Sequence, residues 1–126
     1  MVAILVIDDQ MISLQILCQL AKSIDGNHDV RGFSCPQEAL DWTKNHPVAL
    51  VLTDYKMPQM NGIEFIRMFR THSACAHVPV ILVTADEDPE MRLAALRAGA
   101  TEFMVKPVNH QECRKLCRKL LIQYQQ

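Results

Sequence analysis

Short apolar segments recur along the chain at regular intervals. Four are runs rich in aliphatic or β-branched residues that end in polar residues or are followed by them, at residues 3–7, 48–53, 78–84 and 101–105. Because these runs do not alternate between apolar and polar positions, they are typical of strands buried on both faces, as in a parallel sheet. A weaker run at residues 28–33 predicts an edge strand.

The segments between these runs have helical spacing and helix start signals. Asp88 and Pro89 form an N-cap and N1 pair ahead of a helix that Gly99 ends. Pairs spaced for a capping box precede three other helices, namely Ser34 with Gln37, Asn61 with Glu64 and Asn109 with Glu112. The first helix is predicted from apolar residues at helical spacing, which are Leu14, Leu17, Cys18, Ala21 and Ile24.

Strand and helix therefore alternate in a (βα)5 pattern. Helices must cover both faces of such a sheet, and right-handed crossovers leave few topologies. The sequence predicts an α/β fold with a doubly wound parallel sheet in the flavodoxin-like strand order 2-1-3-4-5. The 126 residues fit a single domain, residues 1–126. The chain ends just after the last predicted helix, so we expect a stand-alone domain or a piece excised from a longer protein.

Composition narrows the class of protein. The chain is 49% hydrophobic and 21% charged with a net charge of −1, which is typical of a soluble globular protein and gives no basic field to attract nucleic acid. No apolar run approaches the roughly 20 residues that span a bilayer, and the N-terminus lacks the features of a signal peptide. The 5 cysteines form no CxxC pair, which indicates reduced thiols in a cytosolic protein.

His110, Cys113 and Cys117 are spaced to share one face of the last helix, which would suit a metal site. The two cysteines also continue an apolar stripe with the leucines around them. We favour the apolar stripe, because three ligands on one helix need a fourth ligand and outer support from elsewhere.

Polar residues follow the core strands, at the edge where open parallel sheets place their sites. Asp8 and Asp9 follow the first strand, Asp54 the third, Thr84 ends the fourth and Lys106 follows the fifth. Clustered acids repel one another unless a cation is present, and Mg²⁺ prefers carboxylates, a carbonyl and waters. Each residue alone has an ordinary explanation, such as a helix cap, a turn or a surface charge, but their joint placement favours one site. An aspartate nucleophile beside a metal and an ammonium suits phosphoryl transfer.

These motifs resemble the receiver domains of bacterial response regulators in two-component signalling, and the resemblance covers the whole chain. VIDDQ resembles their first-strand acidic pair, and LTDYKMPQMNG resembles their phosphoacceptor segment. VTA resembles the end of their fourth strand, and Phe103 with VKP resembles the fifth strand and its lysine–proline turn.

The resemblance implies that Asp54 accepts phosphate from a sensor histidine kinase or a histidine phosphotransfer protein, followed by slow hydrolysis. It implies that Asp9 and Asp54 ligate Mg²⁺, that Asp8 helps directly or through water, and that Lys56 contributes its backbone carbonyl. The chain would then be a signalling domain, and no enzyme beyond catalysing its own aspartyl phosphorylation and dephosphorylation.

The same resemblance implies that Thr84 and Lys106 bind the phosphoryl oxygens and that the Lys106–Pro107 peptide bond is cis. Phe103 occupies the position of an aromatic side chain that rotates when phosphorylation draws Thr84 inward. The alternative for Phe103 is a permanently buried core ring.

Lys56 lies two residues after Asp54, and Asp86 lies two residues after Thr84. We hypothesise that Lys56 and Asp86 form an ion pair that shields the acyl phosphate from water and modulates its lifetime. Two independently solvated charges are an equal alternative, because exposed pairs hold weakly.

The segments DYKMPQMNGIEFIR and RKLCRKLLIQYQQ resemble receivers attached to HD-GYP cyclic di-GMP phosphodiesterases. An output domain or effector of that class is therefore an expectation. The cysteine pattern predicts a cytoplasmic protein, and the net charge of −1 predicts no direct contact with nucleic acid or membrane. The resemblance implies a homodimer through helix 4, strand 5 and helix 5.

Three other classes of protein share some of these sequence features and are alternatives to a phosphorylated receiver. A degenerate receiver would bind a partner without being phosphorylated, but neither the acceptor aspartate nor the lysine is missing. A flavin or nucleotide binder needs a glycine-rich loop after an early strand, where this chain has DDQMIS. A phosphatase of the haloacid dehalogenase type would have an Asp-x-Asp signature, whereas position 10 is Gln and the acids are adjacent.

Overall fold

Strands and helices alternate throughout the computed structural model, which describes residues 1–124. All strand pairs are parallel, and the five strands lie in the order β2-β1-β3-β4-β5, which confirms the predicted topology. The elements are β1 (Ala3–Ile7), α1 (Met11–Lys22), β2 (Asp29–Phe33), α2 (Pro36–Thr43), β3 (Val48–Asp54), α3 (Gly62–Thr71), a 3-10 turn (Ser73–Cys75), β4 (Val80–Thr84), α4 (Pro89–Ala98), β5 (Glu102–Val105) and α5 (His110–Gln123).

The sheet separates two apolar layers, because successive side chains of a strand point to opposite faces. Along β1, Leu5 and Ile7 face the layer formed with α2, α3 and α4, whereas Ile4 and Val6 face the layer formed with α1 and α5. Every residue of β1 and β4 is buried, as their unbroken apolar runs predict. The edge strand β2 is more exposed, also as predicted. No helix in residues 1–124 is both long and apolar enough to cross a membrane.

Three of the predicted helix starts are confirmed. Asn61 and Glu64 form a reciprocal capping box, with N–H···O distances of 2.9 and 3.0 Å. Asp88 accepts a hydrogen bond from the Glu90 N–H, and Asn109 accepts one from the Glu112 N–H. These caps satisfy N–H groups that have no partner within the helix.

Other predicted boundaries are wrong by a few residues. The Ser34–Gln37 capping box does not form: α2 begins at Pro36 with Cys35 as its N-cap and without a side-chain cap. Proline suits the first helical position, because its fixed φ is already helical and it has no N–H to satisfy. The first helix ends at Lys22, so Ile24 lies beyond it although its side chain is buried. Strand β4 begins at Val80, two residues later than predicted.

Candidate functional site

Three carboxylates meet at the carboxyl edge of the sheet. Asp8 and Asp9 follow β1, Asp54 ends β3, and one oxygen of each lies within 4.8 Å of the others. The strand order brings them together, because β1 and β3 are adjacent in the sheet. Asp8 is completely buried, and Asp54 is 7% exposed. The acid cluster predicted from the sequence therefore forms.

Lys106 is the cation beside this cluster. Its Nζ lies 3.3 Å from Asp8 Oδ2 and 3.2 Å from Asp54 Oδ1. Partial burial disfavours the charged ammonium, but the attraction of Asp54 and Asp8 outweighs it and raises the Lys106 pKa above its usual value. Lys106 therefore stays protonated between the two acids at neutral pH.

The single positive charge of Lys106 does not neutralise the negative charge of three carboxylates. Burial and the nearby Asp8 raise the pKa of Asp54, although Lys106 acts in the opposite direction. Asp9 Oδ1 is a buried oxygen without a hydrogen-bond partner in the described part of the chain. Unpaired buried carboxylate oxygens are unfavourable, and hard divalent cations take oxygen ligands. The donor set of Asp8, Asp9 and Asp54 thus fits a Mg²⁺ ion.

Substituting Asp54 with asparagine is expected to raise the melting temperature of the metal-free protein at pH 7. The pKa of Asp54 is higher in the folded than in the unfolded state, so ionisation opposes folding. This destabilisation begins as the pH rises through the ordinary pKa of an aspartate, about 3.9, and is complete above the raised value. Thermal unfolding in EDTA at pH 7 and pH 3 tests this, with the exposed Asp41→Asn as the matched control. No gain at pH 7, or the same gain for the control, contradicts it.

Thr84 and Lys106 are joined through their backbones where β4 and β5 end. The Lys106 N–H donates to the Thr84 carbonyl over 3.0 Å, and the Lys106–Pro107 peptide bond is cis. The Thr84 hydroxyl is buried and accepts a hydrogen bond of 3.0 Å from the Asp86 N–H. Both predicted phosphoryl-binding residues therefore lie at the same edge of the sheet as the acids.

Phe103 is partly buried in β5, where it packs against the apolar layer of α2, α3 and α4. The guanidinium of Arg92 on α4 lies 5.0 Å from the centre of its ring, at cation–π distance. The ring is thus only partly buried and contacts α4 directly.

The Lys56–Asp86 ion pair is not formed among the described residues. Both side chains are exposed, and Asp86 Oδ1 accepts a hydrogen bond of 3.0 Å from the Asp88 N–H within its own loop. Lys56 nonetheless lies close to Asp9, since both line one surface depression. Its other lining residues are Gln10, Tyr55, Met57, Pro58 and Asn61.

Two contacts of the site were not predicted. Ser13 Oγ on α1 lies 3.3 Å from Lys106 Nζ, and the Gln10 N–H donates to Asp8 Oδ1 over 3.0 Å. Ser13 is five residues from Asp8 and 93 from Lys106, and no motif links these positions. Only the packing of α1 beside the strand ends reveals the contact.

The alternative metal site on α5 is not supported. Cys113 and Cys117 are buried in the apolar layer of α1 and α5, whereas His110 is exposed. A hydrogen bond to Cys113 and burial both raise the pKa of the Cys117 thiol. In residues 1–124 the only cluster of metal-binding groups is the acidic one. The apolar-stripe interpretation is confirmed.

Comparisons with known proteins agree with this geometry. The family model described as response regulator receiver domain matches residues 4–118. The chain is 39% identical over 118 residues to the cyclic di-GMP phosphodiesterase response regulator RpfG of Xanthomonas campestris pv. campestris, covering 94% of this chain and 31% of that protein. It is 33% identical over 109 residues to a chemotaxis protein CheY homolog of Campylobacter jejuni, covering 86% of this chain and 83% of that protein.

Solved structures show the same fold. The chemotaxis protein CheY4 of Vibrio cholerae aligns with a TM-score of 0.87 at 25% identity, over 95% of this chain and 98% of that one. A response regulator receiver domain from Clostridium thermocellum aligns with a TM-score of 0.84 at 28% identity, over 98% and 96% of the two chains. The chain spans less than a third of RpfG and 25% of another relative, the regulatory protein PgtA of Salmonella typhimurium.

Proposed function

Because the chain belongs to the receiver domain family of two-component response regulators, we propose that Asp54 accepts a phosphoryl group in a Mg²⁺-dependent reaction. The observation that carries this proposal is the position of the Asp54 carboxylate, beside two further acids and 3.2 Å from the Lys106 ammonium. The physiological donor would be the phosphohistidine of a sensor histidine kinase or of a histidine phosphotransfer protein.

In the proposed reaction, an Asp54 oxygen attacks phosphorus and forms an acyl phosphate. The phosphorus–nitrogen bond of the donor breaks, and its electron pair returns to the imidazole. Lys106 would balance charge on the phosphoryl oxygens, and the Thr84 hydroxyl would donate a hydrogen bond to one of them. Asp8, Asp9, Asp54 and the Lys56 carbonyl would hold Mg²⁺, which would supply further positive charge. Later, water would attack phosphorus and break its bond to the Asp54 oxygen, which would restore the carboxylate and release inorganic phosphate.

Thr84 and Phe103 would transmit the structural effect of phosphorylation to the protein surface. The Thr84 hydroxyl accepts its present hydrogen bond from Asp86, so its own hydrogen remains available to a phosphoryl oxygen. Phe103 contacts Arg92 on α4. A rotation of this ring would break that contact, so α4 is the first element that would respond.

Lys56 and Asp86 remain proposed modulators of the phosphorylated lifetime. Since no ion pair joins them among the described residues, each would act separately through its charge or its bulk beside the site.

We propose an output of the cyclic di-GMP phosphodiesterase class, because RpfG carries that name and its similarity covers 94% of this chain. This agrees with the resemblance to receivers of HD-GYP proteins. A homodimer through α4, β5 and α5 is a further proposal, and the exposed Leu93 and Leu96 on α4 would suit it. The free cysteines support a cytoplasmic location.

Incubation with acetyl phosphate is expected to add one phosphoryl group to the chain in Mg²⁺ and none in EDTA. The substitution Asp9→Asn should raise the half-saturating Mg²⁺ concentration by at least about tenfold. Removing a residue that merely supports a metal ligand already weakens metal binding by about this factor, and Asp9 is a proposed ligand. Intact-protein mass spectrometry over a Mg²⁺ titration measures both effects. No phosphorylation at any Mg²⁺ concentration would favour the second candidate, a degenerate receiver that binds a partner unphosphorylated.

A further inference from the structure

The Lys106 ammonium has oxygen neighbours from three separate elements. Its Nζ lies 3.3 Å from Asp8 Oδ2 at the end of β1, 3.2 Å from Asp54 Oδ1 on β3 and 3.3 Å from Ser13 Oγ on α1. A lysine ammonium has three N–H donors and no acceptor, so these oxygens can engage all of its hydrogens. The two acids already have roles in the proposed site, whereas the Ser13 hydroxyl has none.

We propose that Ser13 is a positioning residue, which fixes the Lys106 ammonium between Asp8 and Asp54 so that it meets the incoming phosphoryl oxygen. This inference rests on the proposed function of Asp54 and names a further residue that the reaction depends on. Ser13 would act through Lys106 and would not contact the phosphoryl group itself.

The need for a third contact follows from the geometry of a lysine side chain. Its ammonium sits on a flexible four-carbon stem, and the Lys106 side chain is 25% exposed. Two acceptors leave the ammonium free to turn about the line that joins them. A third acceptor on a different element removes that freedom. Helix α1 is a rigid support for it, because Leu14 and Leu17 are buried in the core.

Ser13 also has a defined part once Asp54 is phosphorylated. The carboxylate oxygen that formed the acyl phosphate is then no longer a charged partner of Lys106. The contacts with Asp8 and Ser13 hold the ammonium in place while its third donor turns to a phosphoryl oxygen. Because Ser13 is neutral, it orients the Lys106 ammonium without changing the balance of charge between the acids and the lysine.

The first test measures hydrogen exchange of the Lys106 ammonium by NMR in the whole chain, without Mg²⁺ or phosphodonor. Its ¹H–¹⁵N signal is assigned by its loss in Lys106→Arg. The substitution Ser13→Ala is expected to accelerate this exchange by about ten- to a hundredfold, which corresponds to the loss of one hydrogen bond from a charged donor. Ser13→Thr should retain slow exchange, because it keeps the hydroxyl. The matched control is Ser34→Ala, an exposed serine after β2, which should have no effect.

The second test is the rate of phosphorylation by acetyl phosphate in saturating Mg²⁺. We expect Ser13→Ala to be slower by a similar factor, with Ser13→Thr close to wild type and circular dichroism unchanged in both. The proposal is overturned if the wild-type Lys106 signal exchanges too fast to observe, if Ser13→Ala leaves either rate unchanged, or if Ser13→Thr is as impaired as Ser13→Ala. If the wild type is not phosphorylated at all, the function of Asp54 fails, and the exchange measurement still decides whether Ser13 holds Lys106.

Discussion

Replacing Asp54 with asparagine is expected to abolish phosphorylation by acetyl phosphate in Mg²⁺. Asparagine has nearly the same shape, but its neutral amide is no nucleophile for phosphorus. The neighbouring Asp8 is a poor substitute, because it is completely buried and its two oxygens already accept hydrogen bonds from the Gln10 N–H and from Lys106. Loss of a nucleophile can lower a catalysed rate by on the order of 10⁶, so no product should be detectable by intact mass.

The control for this loss is Asp41→Asn, which removes a carboxylate from the exposed surface of α2. It should be phosphorylated at the wild-type rate. Because Asp54→Asn is expected to be more stable than the wild type without metal, unfolding cannot explain its failure, and a melting curve verifies this. Phosphorylation of Asp54→Asn at a rate within tenfold of the wild type would show that another residue is the acceptor.

The substitution Gly62→Ala is expected to destabilise the protein by about 3 kcal/mol and to lower its melting temperature by roughly 10 °C. A Cβ at position 62 would lie 2.4 Å from the backbone oxygen of Asp54 and 2.7 Å from Leu82 Cδ1. The Asp54 oxygen belongs to a central strand and cannot yield without moving the proposed acceptor. The Gly62 N–H also donates to the Tyr55 carbonyl over 2.8 Å, which holds the start of α3 against the end of β3.

Gly26→Ala is the matched control for Gly62→Ala, since a Cβ at position 26 would meet no atom within 4 Å. Its stability should change by less than about 1 kcal/mol, with a small gain expected from a less flexible unfolded chain. Chemical denaturation of both variants measures the difference. Equal stability of the two variants would show that the loop after β3 relaxes easily and that the glycine is not required there.

The fold and the acid cluster could be predicted because strong local signals agreed with one topology. Continuous apolar runs identified β1, β3 and β4, and the residues that follow them were bound to meet where parallel strands end together. The asparagine and aspartate N-caps were predictable for the same reason, since each acts on N–H groups two or three residues away.

Other features depend on packing that no local pattern encodes. Ser13 reaches Lys106 only because α1 packs beside the strand ends, 93 positions earlier in the chain. The predicted Lys56–Asp86 pair assumed that two exposed side chains turn toward each other, whereas Asp86 bonds within its own loop. The spacing of Ser34 and Gln37 suggested a capping box, but α2 begins at Pro36 and this capping box does not form.

The central claim, that Asp54 is the phosphoacceptor, is tested most directly by locating the modified residue. Wild-type protein is phosphorylated with acetyl phosphate in Mg²⁺, the acyl phosphate is reduced with borohydride, and the product is digested and sequenced by mass spectrometry. We expect reduction of the aspartate to homoserine at position 54 and at no other position. A reduced aspartate elsewhere, or an unmodified Asp54 in protein that has gained a phosphoryl group, would contradict the account.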